Sequence, residues 1–232
     1  MSEQQPAGPA TAAPSRFRLA AAIRAAISEG TLQPGERVNE RELCETYGVS
    51  RTTVRETLRQ LEAEGFLTLE PHRGAVVATM SYTQAEALFE VREALESLAC
   101  GLFAARGDLA HKRKLSETLR ATEGAMQDGT LDAVLEAKDR FYDALLEGAG
   151  NPELTTSLRL LHARIRILRR YSLSAPGRHE RSLAELSDIC RAIVAGDVEG
   201  ARRAGGHHVA QARYAALPRI FAQEEQRKEG GQ

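Results

Sequence analysis

From Thr83 to about residue 222 the apolar side chains recur at the i, i+3, i+4 spacing of a helix, and no run of strand character interrupts them. Leu154, Leu158, Leu161, Ile165 and Leu168 form one such stripe. Breaks at Gly107, Gly129-Thr130, Gly148 to Pro152, Ser172 to Gly177 and Gly196-Asp197 divide the segment. They predict six helices, near 83–106, 109–127, 131–147, 153–171, 178–195 and 198–222. Thr83 with Glu86 reads as a capping box at the start of the first. Each helix has one apolar face to bury, so the segment must pack as an antiparallel six-helix bundle.

The preceding residues are patterned differently. Leu19, Ile23 and Ile27 predict a helix closed by Gly30, and Pro34-Gly35 makes a turn. Asn39 with Glu42 opens a second helix with Leu43 and Tyr47 on its inner face, stopped by Gly48. A two-residue connection leads to Ser50, an N-cap for a third helix whose stripe is Val54, Leu58 and Leu61 and which ends at Gly65. Residues 66–69 and 75–78 are short β-prone runs joined by Pro71-His72-Arg73-Gly74, a hairpin. The expected fold is therefore mostly α. A winged helix-turn-helix with a short β-hairpin occupies 15–80 and the helical bundle 81–222. Residues 1–14, rich in Ala, Pro, Ser and Gln, form a disordered tail, and 223–232 a polar one.

Composition excludes several classes. No run approaches the 18 or so apolar residues of a membrane helix, and the N-terminus has no basic, apolar leader. Three widely spaced cysteines argue against a disulfide scaffold or a Cys-x-x-Cys zinc site and for a reducing, cytoplasmic setting. No GxSxG elbow, P-loop, GxGxxG or HExxH occurs, so catalysis has no support and no cofactor is implied.

Net charge is −1, and residues 15–80 carry nine arginines against nine acids, so DNA binding must rest on placement. On the third helix Arg51, Arg55 and Arg59 fall opposite Val54, Leu58 and Leu61, with Thr52 beside them. Ser, Thr and Arg at a helix N-terminus suit a major groove: hydroxyls and backbone N–H groups reach phosphate, and Arg bonds a guanine edge. The hairpin would lay His72 and Arg73 along the flanking backbone or minor groove, with Gly74 permitting close approach.

The stretch GTLQPGERVNERELCETYGVSRTTVRETLRQLEAEGFLTLEPHRGAVV closely resembles the winged helix of the GntR family of bacterial transcription regulators. The resemblance implies DNA contacts from Arg41, Ser50, Arg51, Thr52, Arg55 and Gly74, with His72 and Arg73 at the wing. The later helices resemble the FCD sensor domain of the FadR-type branch. The residues that carry this are Val91-Arg92-Glu93-Ala94-Leu95-Glu96, Phe141-Tyr142, Gly150-Asn151-Pro152, Ala192-Ile193 and Gly196-Asp197.

Many FCD domains bind a divalent metal through one Asp and three His. The corresponding positions here hold Lys138, Tyr142, Leu186 and His208, so the resemblance implies a variant without the metal. Asp139 is one residue off, and His162 and His179 read as surface or loop histidines. From Leu154 to His179 there are six arginines and no acid. Arg159, Arg166 and Arg170 lie opposite the apolar stripe and read as solvated. Arg164 and Arg169 flank it. Arg92, Lys138 and one of Arg164 or Arg169 would then neutralise an anionic effector, a carboxylate or phosphate, with Tyr142 and His208 donating hydrogen bonds. An internal ion-pair network, such as Arg92 with Glu96, is the alternative.

These readings converge on a cytoplasmic, homodimeric repressor that binds a palindromic operator on double-stranded DNA and is released by a small organic anion. Two alternatives stand beside it: a metal-responsive regulator of the same family, and a helical protein-binding module without a DNA function.

Overall fold

The computed structural model describes residues 15–28 and 31–230, and the expected tail at 1–14, the stop at Gly30 and residues 231–232 lie outside them. The chain divides at Thr79 and Met80 into two compact units.

In the first unit, α1 (Ser15–Ser28), α2 (Glu40–Tyr47) and α3 (Arg51–Ala63) precede a hairpin of β1 (Leu67–Glu70) and β2 (Gly74–Val77). The hairpin is antiparallel, with Leu67 opposite Val77 and Glu70 opposite Gly74. Leu19, Ile23, Val54, Leu58, Leu61, Phe66, Leu67 and Val77 bury into one apolar cluster. Each such side chain contributes about 1.5–3 kcal/mol. Arg24 forks onto the Glu64 carboxylate with two bonds of 2.8 Å and lies over the Phe66 ring, fixing α1 to the end of α3.

Asn39 caps α2 by accepting from the Arg41 N–H, while its amide donates to Glu42 at 2.9 Å, so the reciprocal box runs side chain to side chain. Gly48, in the left-handed region, stops the helix. Tyr47, read as an inner residue, is 41% exposed, and Cys44 packs on the core in its place. Sequence reading also missed a strand-like segment. Val38 N–H donates to Ala75 and Val77 N–H to Glu36, so residues 36–38 pair with β2 as a third edge. Three residues carry too little periodicity to register as a strand.

The second unit is all-α: α4 (Tyr82–Arg106), α5 (Leu109–Asp128), α6 (Leu131–Ala149), α7 (Pro152–Leu173), α8 (Arg178–Ala195) and α9 (Val198–Gly230). The capping box of α4 is Ser81 with Gln84, two residues before the expected pair. The helices α4 and α9 pack along each other, and α6 lies against α4 and α5. At the α4–α6 crossing, a Cβ on Gly148 would sit 2.4 Å from the ring of Phe103, which is fully buried. Residues 223–230, expected as a polar tail, continue α9. The Tyr82 N–H donates to Glu224 at 2.8 Å, Tyr171 bonds Gln223, and Tyr82 meets Phe221 edge to face, so tertiary contacts hold this polar end in place.

Candidate functional site

Two sites form, one in each unit. In the first, Ser50 caps α3 by accepting from the Thr53 N–H at 3.1 Å, which leaves Arg51 and Thr52 exposed on the first turn. Arg55 follows one turn on, exposed and paired with Glu40 at 3.2 Å. Arg41, 80% exposed, pairs with Glu45 on its own helix. At the hairpin, Arg73 N–H donates to Glu70 O in a turn with Pro71 at its second position and His72 at its third, where φ is 64°. Gly74 follows at φ 83°, a conformation that a side chain would strain. His72 stands at the exposed tip. Arg73 instead folds back, donating to Glu70 and to the Gly35 carbonyl, both at 3.1 Å.

These elements enclose a concave face of about 510 Å³ whose lining includes Arg41, Arg51, Arg55, His72 and Gly74. Arg37 also lines it, and sequence reading missed this residue because its position depends on the third edge of the sheet. The face carries four arginines against Glu40 and Glu70. Its exposed pairs are worth little in water, so phosphates can replace the acids at small cost.

The second site is a buried ionic cluster between α4, α6, α7, α8 and α9. Arg92 is fully buried and donates to Glu96 at 2.6 Å, the internal pairing named above as the alternative. The Tyr142 hydroxyl accepts from Arg92 at 3.3 Å, and Arg169 stacks on the Tyr142 ring 3.8 Å from its centroid. Arg169 also donates to Asp139 at 2.9 Å, and Arg166 pairs with the same carboxylate. Arg178 forks onto Glu185 at 2.9 and 2.7 Å, and Glu185 meets His208 Nδ1 at 2.6 Å. Lys138 is 2% exposed and donates to Ser182 Oγ at 2.7 Å.

Several expectations change here. Arg166, read as solvated, is 5% exposed, and Arg170 is half-buried against Asp132. Asp139 and Asp132 on α6 draw both arginines inward, which the stripe of α7 alone cannot show. Arg164 is exposed and stands outside the cluster, whereas Arg169 is inside it. Sequence reading missed Arg178, Ser182 and Glu185, which α8 contributes.

The electrostatics follow from burial. Desolvation, with Arg169, Arg92 and Arg178 nearby, holds the Lys138 amine well below its ordinary range. Desolvation, with Lys138 and the arginines, likewise holds His208 well below its own, so its neutral ring donates through Nδ1 to Glu185. Nε2 is then an acceptor, the reverse of the donor role expected for His208. It is buried and unpartnered, as are Arg92 Nη1 and Arg169 Nε. Burial opposes ionisation of Glu96, but Arg92 and Arg169 outweigh it and keep Glu96 below the usual carboxylate range.

The four positions that the family resemblance assigns to metal ligands do not make a metal site. Lys138 places an amine where a carboxylate would bind, Leu186 has no donor atom, and His208 commits Nδ1 to Glu185. Among the described residues no group of three or more His, Cys, Asp and Glu converges to hold an ion. The surrounding arginines would also repel a dication.

An arginine-lined winged helix-turn-helix followed by an all-α domain with a buried polar cluster is the architecture of a DNA-binding transcription regulator with an effector domain. The comparisons specify it further. Residues 16–77 match the bacterial regulatory proteins of the gntR family and residues 87–211 match the FCD domain. The chain belongs to the GntR regulators that carry an FCD domain. It is 28% identical over 182 residues to the HTH-type transcriptional regulator YdhC of Bacillus subtilis (strain 168), covering 78% of this chain and 81% of that one. It is 25% identical over 187 residues to the HTH-type transcriptional repressor RspR of Escherichia coli (strain K12), covering 81% and 82%. Among solved structures, E. coli McbR/YncC superposes with a TM-score of 0.63 at 22% identity, covering 92% of this chain and 100% of that one. No helix among the described residues is long and apolar enough to cross a membrane.

Proposed function

We propose that the protein is a cytoplasmic homodimeric repressor that binds a palindromic operator and is released by a small organic anion. The observation that carries the effector class is the buried cluster. Arg92, Arg166, Arg169 and Arg178 face Glu96, Asp139 and Glu185, and N–H groups of Arg92 and Arg169 have no partner. Unpaired buried donors are costly, and a carboxylate or phosphate would satisfy them and offset the surplus charge. At the other site, Ser50, Arg51, Thr52 and Arg55 enter the major groove, Arg41 and Arg37 hold phosphate, and His72 and Gly74 track the flanking backbone. Arg73, tied to the body of the unit, is the weakest of the expected contacts. Repressor logic is consistent with RspR, a relative that is a transcriptional repressor.

Two measurements test this reading. Affinity for random duplex DNA should fall steeply with salt, as counterion release requires. A thermal-shift screen should give hits among organic anions, each losing its shift in Arg92→Ala or Arg169→Gln while the protein stays folded. Hits dominated by amines or neutral sugars would place the pocket chemistry elsewhere, and a flat salt response would favour the protein-binding alternative.

A further inference from the structure

Lys138 is difficult to explain as a structural residue. It has no ion-pair partner among the described residues, and its one hydrogen bond goes to a neutral serine hydroxyl. A methionine would fill the same volume without the cost of desolvating an amine. Burial and the nearby Arg169, Arg92 and Arg178 favour its uncharged form, and a desolvated amine next to other cations is an activated nucleophile.

The groups around it suit one electrophile. Arg92 Nη1 and Arg169 Nε are unpartnered donors for a carboxylate. Ser182 Oγ accepts from Lys138 Nζ and orients it. Neutral His208 presents its bare Nε2 as an acceptor in the same cluster. Tyr142, one turn after Lys138 on α6, keeps its proton because burial and Glu96 push its pKa up. A cleft of about 30 Å³, room for a water or two, is lined by Glu96, Tyr142 and Arg169 between α6 and α7 and stops short of Lys138, Arg92 and His208.

We propose that Lys138 is a covalent receptor for a small carboxylic acid bearing an aldehyde or ketone, whose carboxylate Arg92 and Arg169 hold. The amine adds to the carbonyl carbon to give a carbinolamine, whose hydroxyl His208 Nε2 accepts. Loss of water then forms the imine. A C=N bond replaces the C=O bond, both amine protons leave with the carbonyl oxygen, and nothing is oxidised or reduced. The step is reversible, so the ligand can be sensed and released. Because Lys138, Arg92 and His208 are closed off and the neighbouring cleft is smaller than any such acid, binding must part the helices around Lys138, and that movement is how occupancy is registered. The proposal rests on the anion reading above and narrows it.

The test uses the full chain with pyruvate, glyoxylate or 2-oxoglutarate and sodium cyanoborohydride, followed by intact-mass and peptide analysis. The matching 2-hydroxy acids serve as controls. The expected result is a single saturable adduct on Lys138, heavier by the acid less one oxygen atom, exceeding labelling of Lys112 and Lys114 by at least about tenfold. Mapping is done on the wild-type protein, so the outcome does not depend on a variant folding. Lys138→Met, which fills the same volume without an amine, should lose the adduct. Labelling spread evenly over the lysines overturns the proposal. Thermal stabilisation by the acids with no Lys138 adduct overturns the imine and leaves the anion reading intact, whereas loss of both overturns the two together.

Discussion

At the scale of single residues the buried amine has a thermodynamic signature independent of any ligand. Unfolded, Lys138 takes up a proton below its ordinary pKa of 10.5; folded, burial and three arginines hold its pKa well below that. Between the two values the unfolded state binds one proton more, so stability rises with pH and falls as pH is lowered through this window. The slope approaches about 1.4 kcal/mol per pH unit. Burial also holds the Cys100 and Cys190 thiols protonated in the fold, which contributes slopes of the opposite sign in the same range, so Lys138 is read as a difference: in chemical denaturation from about pH 8 to 10 the wild type should gain stability with pH relative to Lys138→Met. An equal slope in both would mean that the amine is charged in the fold. Arg55 carries a second prediction. Its pair with Glu40 is exposed and worth little, so the guanidinium is free to turn to a base edge. Arg55→Ala should cost about 1–3 kcal/mol on the cognate site and less on random DNA. Equal losses on both would reduce Arg55 to a phosphate contact.

At the scale of elements, legibility depended on whether the deciding interaction was local. Caps, turns and stripes involve residues three or four apart, and those of α3 are where the sequence places them: Ser50 caps, Val54, Leu58 and Leu61 are buried, and Gly65 follows the end. Apart from the α4 cap, two residues early, and the exposed Tyr47, the errors fall where a distant partner decides. Arg166 and Arg170 point inward because Asp139 and Asp132 lie across from them on α6. The end of α9 stays helical because Tyr82 and Tyr171 hold it. Residues 36–38 become a strand edge only because β2 is there. The same division ranks perturbations. Ser50→Ala removes one local cap bond and should cost about 1 kcal/mol. Gly148→Ala drives a methyl into a fully buried ring at a helix crossing, so it should cost more, in the 1–3 kcal/mol range of overpacking. Urea midpoints measure both, and a Gly148→Ala midpoint at or above wild type would show that Phe103 can move aside.

At the scale of the whole molecule a net charge of −1 conceals two local surpluses of positive charge, an exposed one for phosphate and a buried one in the sensor. On the function proposed above, the second stands in for what a metal would supply in a related domain, a fixed positive centre for an anionic ligand. Chelator should therefore leave the melting temperature unchanged, and dialysed protein should hold no stoichiometric Zn, Ni or Mn. A tightly held equivalent that disappears in His208→Ala would contradict this. If the anion acts as an inducer, both sites must bias one equilibrium, and the coupling between them is reciprocal. An acid that weakens operator binding tenfold must itself bind tenfold more weakly to the operator-bound protein, a coupling of about 1.4 kcal/mol. Titrating the acid into free and operator-bound protein by calorimetry measures the second factor, and an operator-binding assay with and without the acid measures the first. The two must agree. Unchanged affinity for the acid on DNA, with strong release of DNA by the acid, would mean that the acid acts somewhere other than the buried cluster, because one site cannot shift an equilibrium that does not shift it in return.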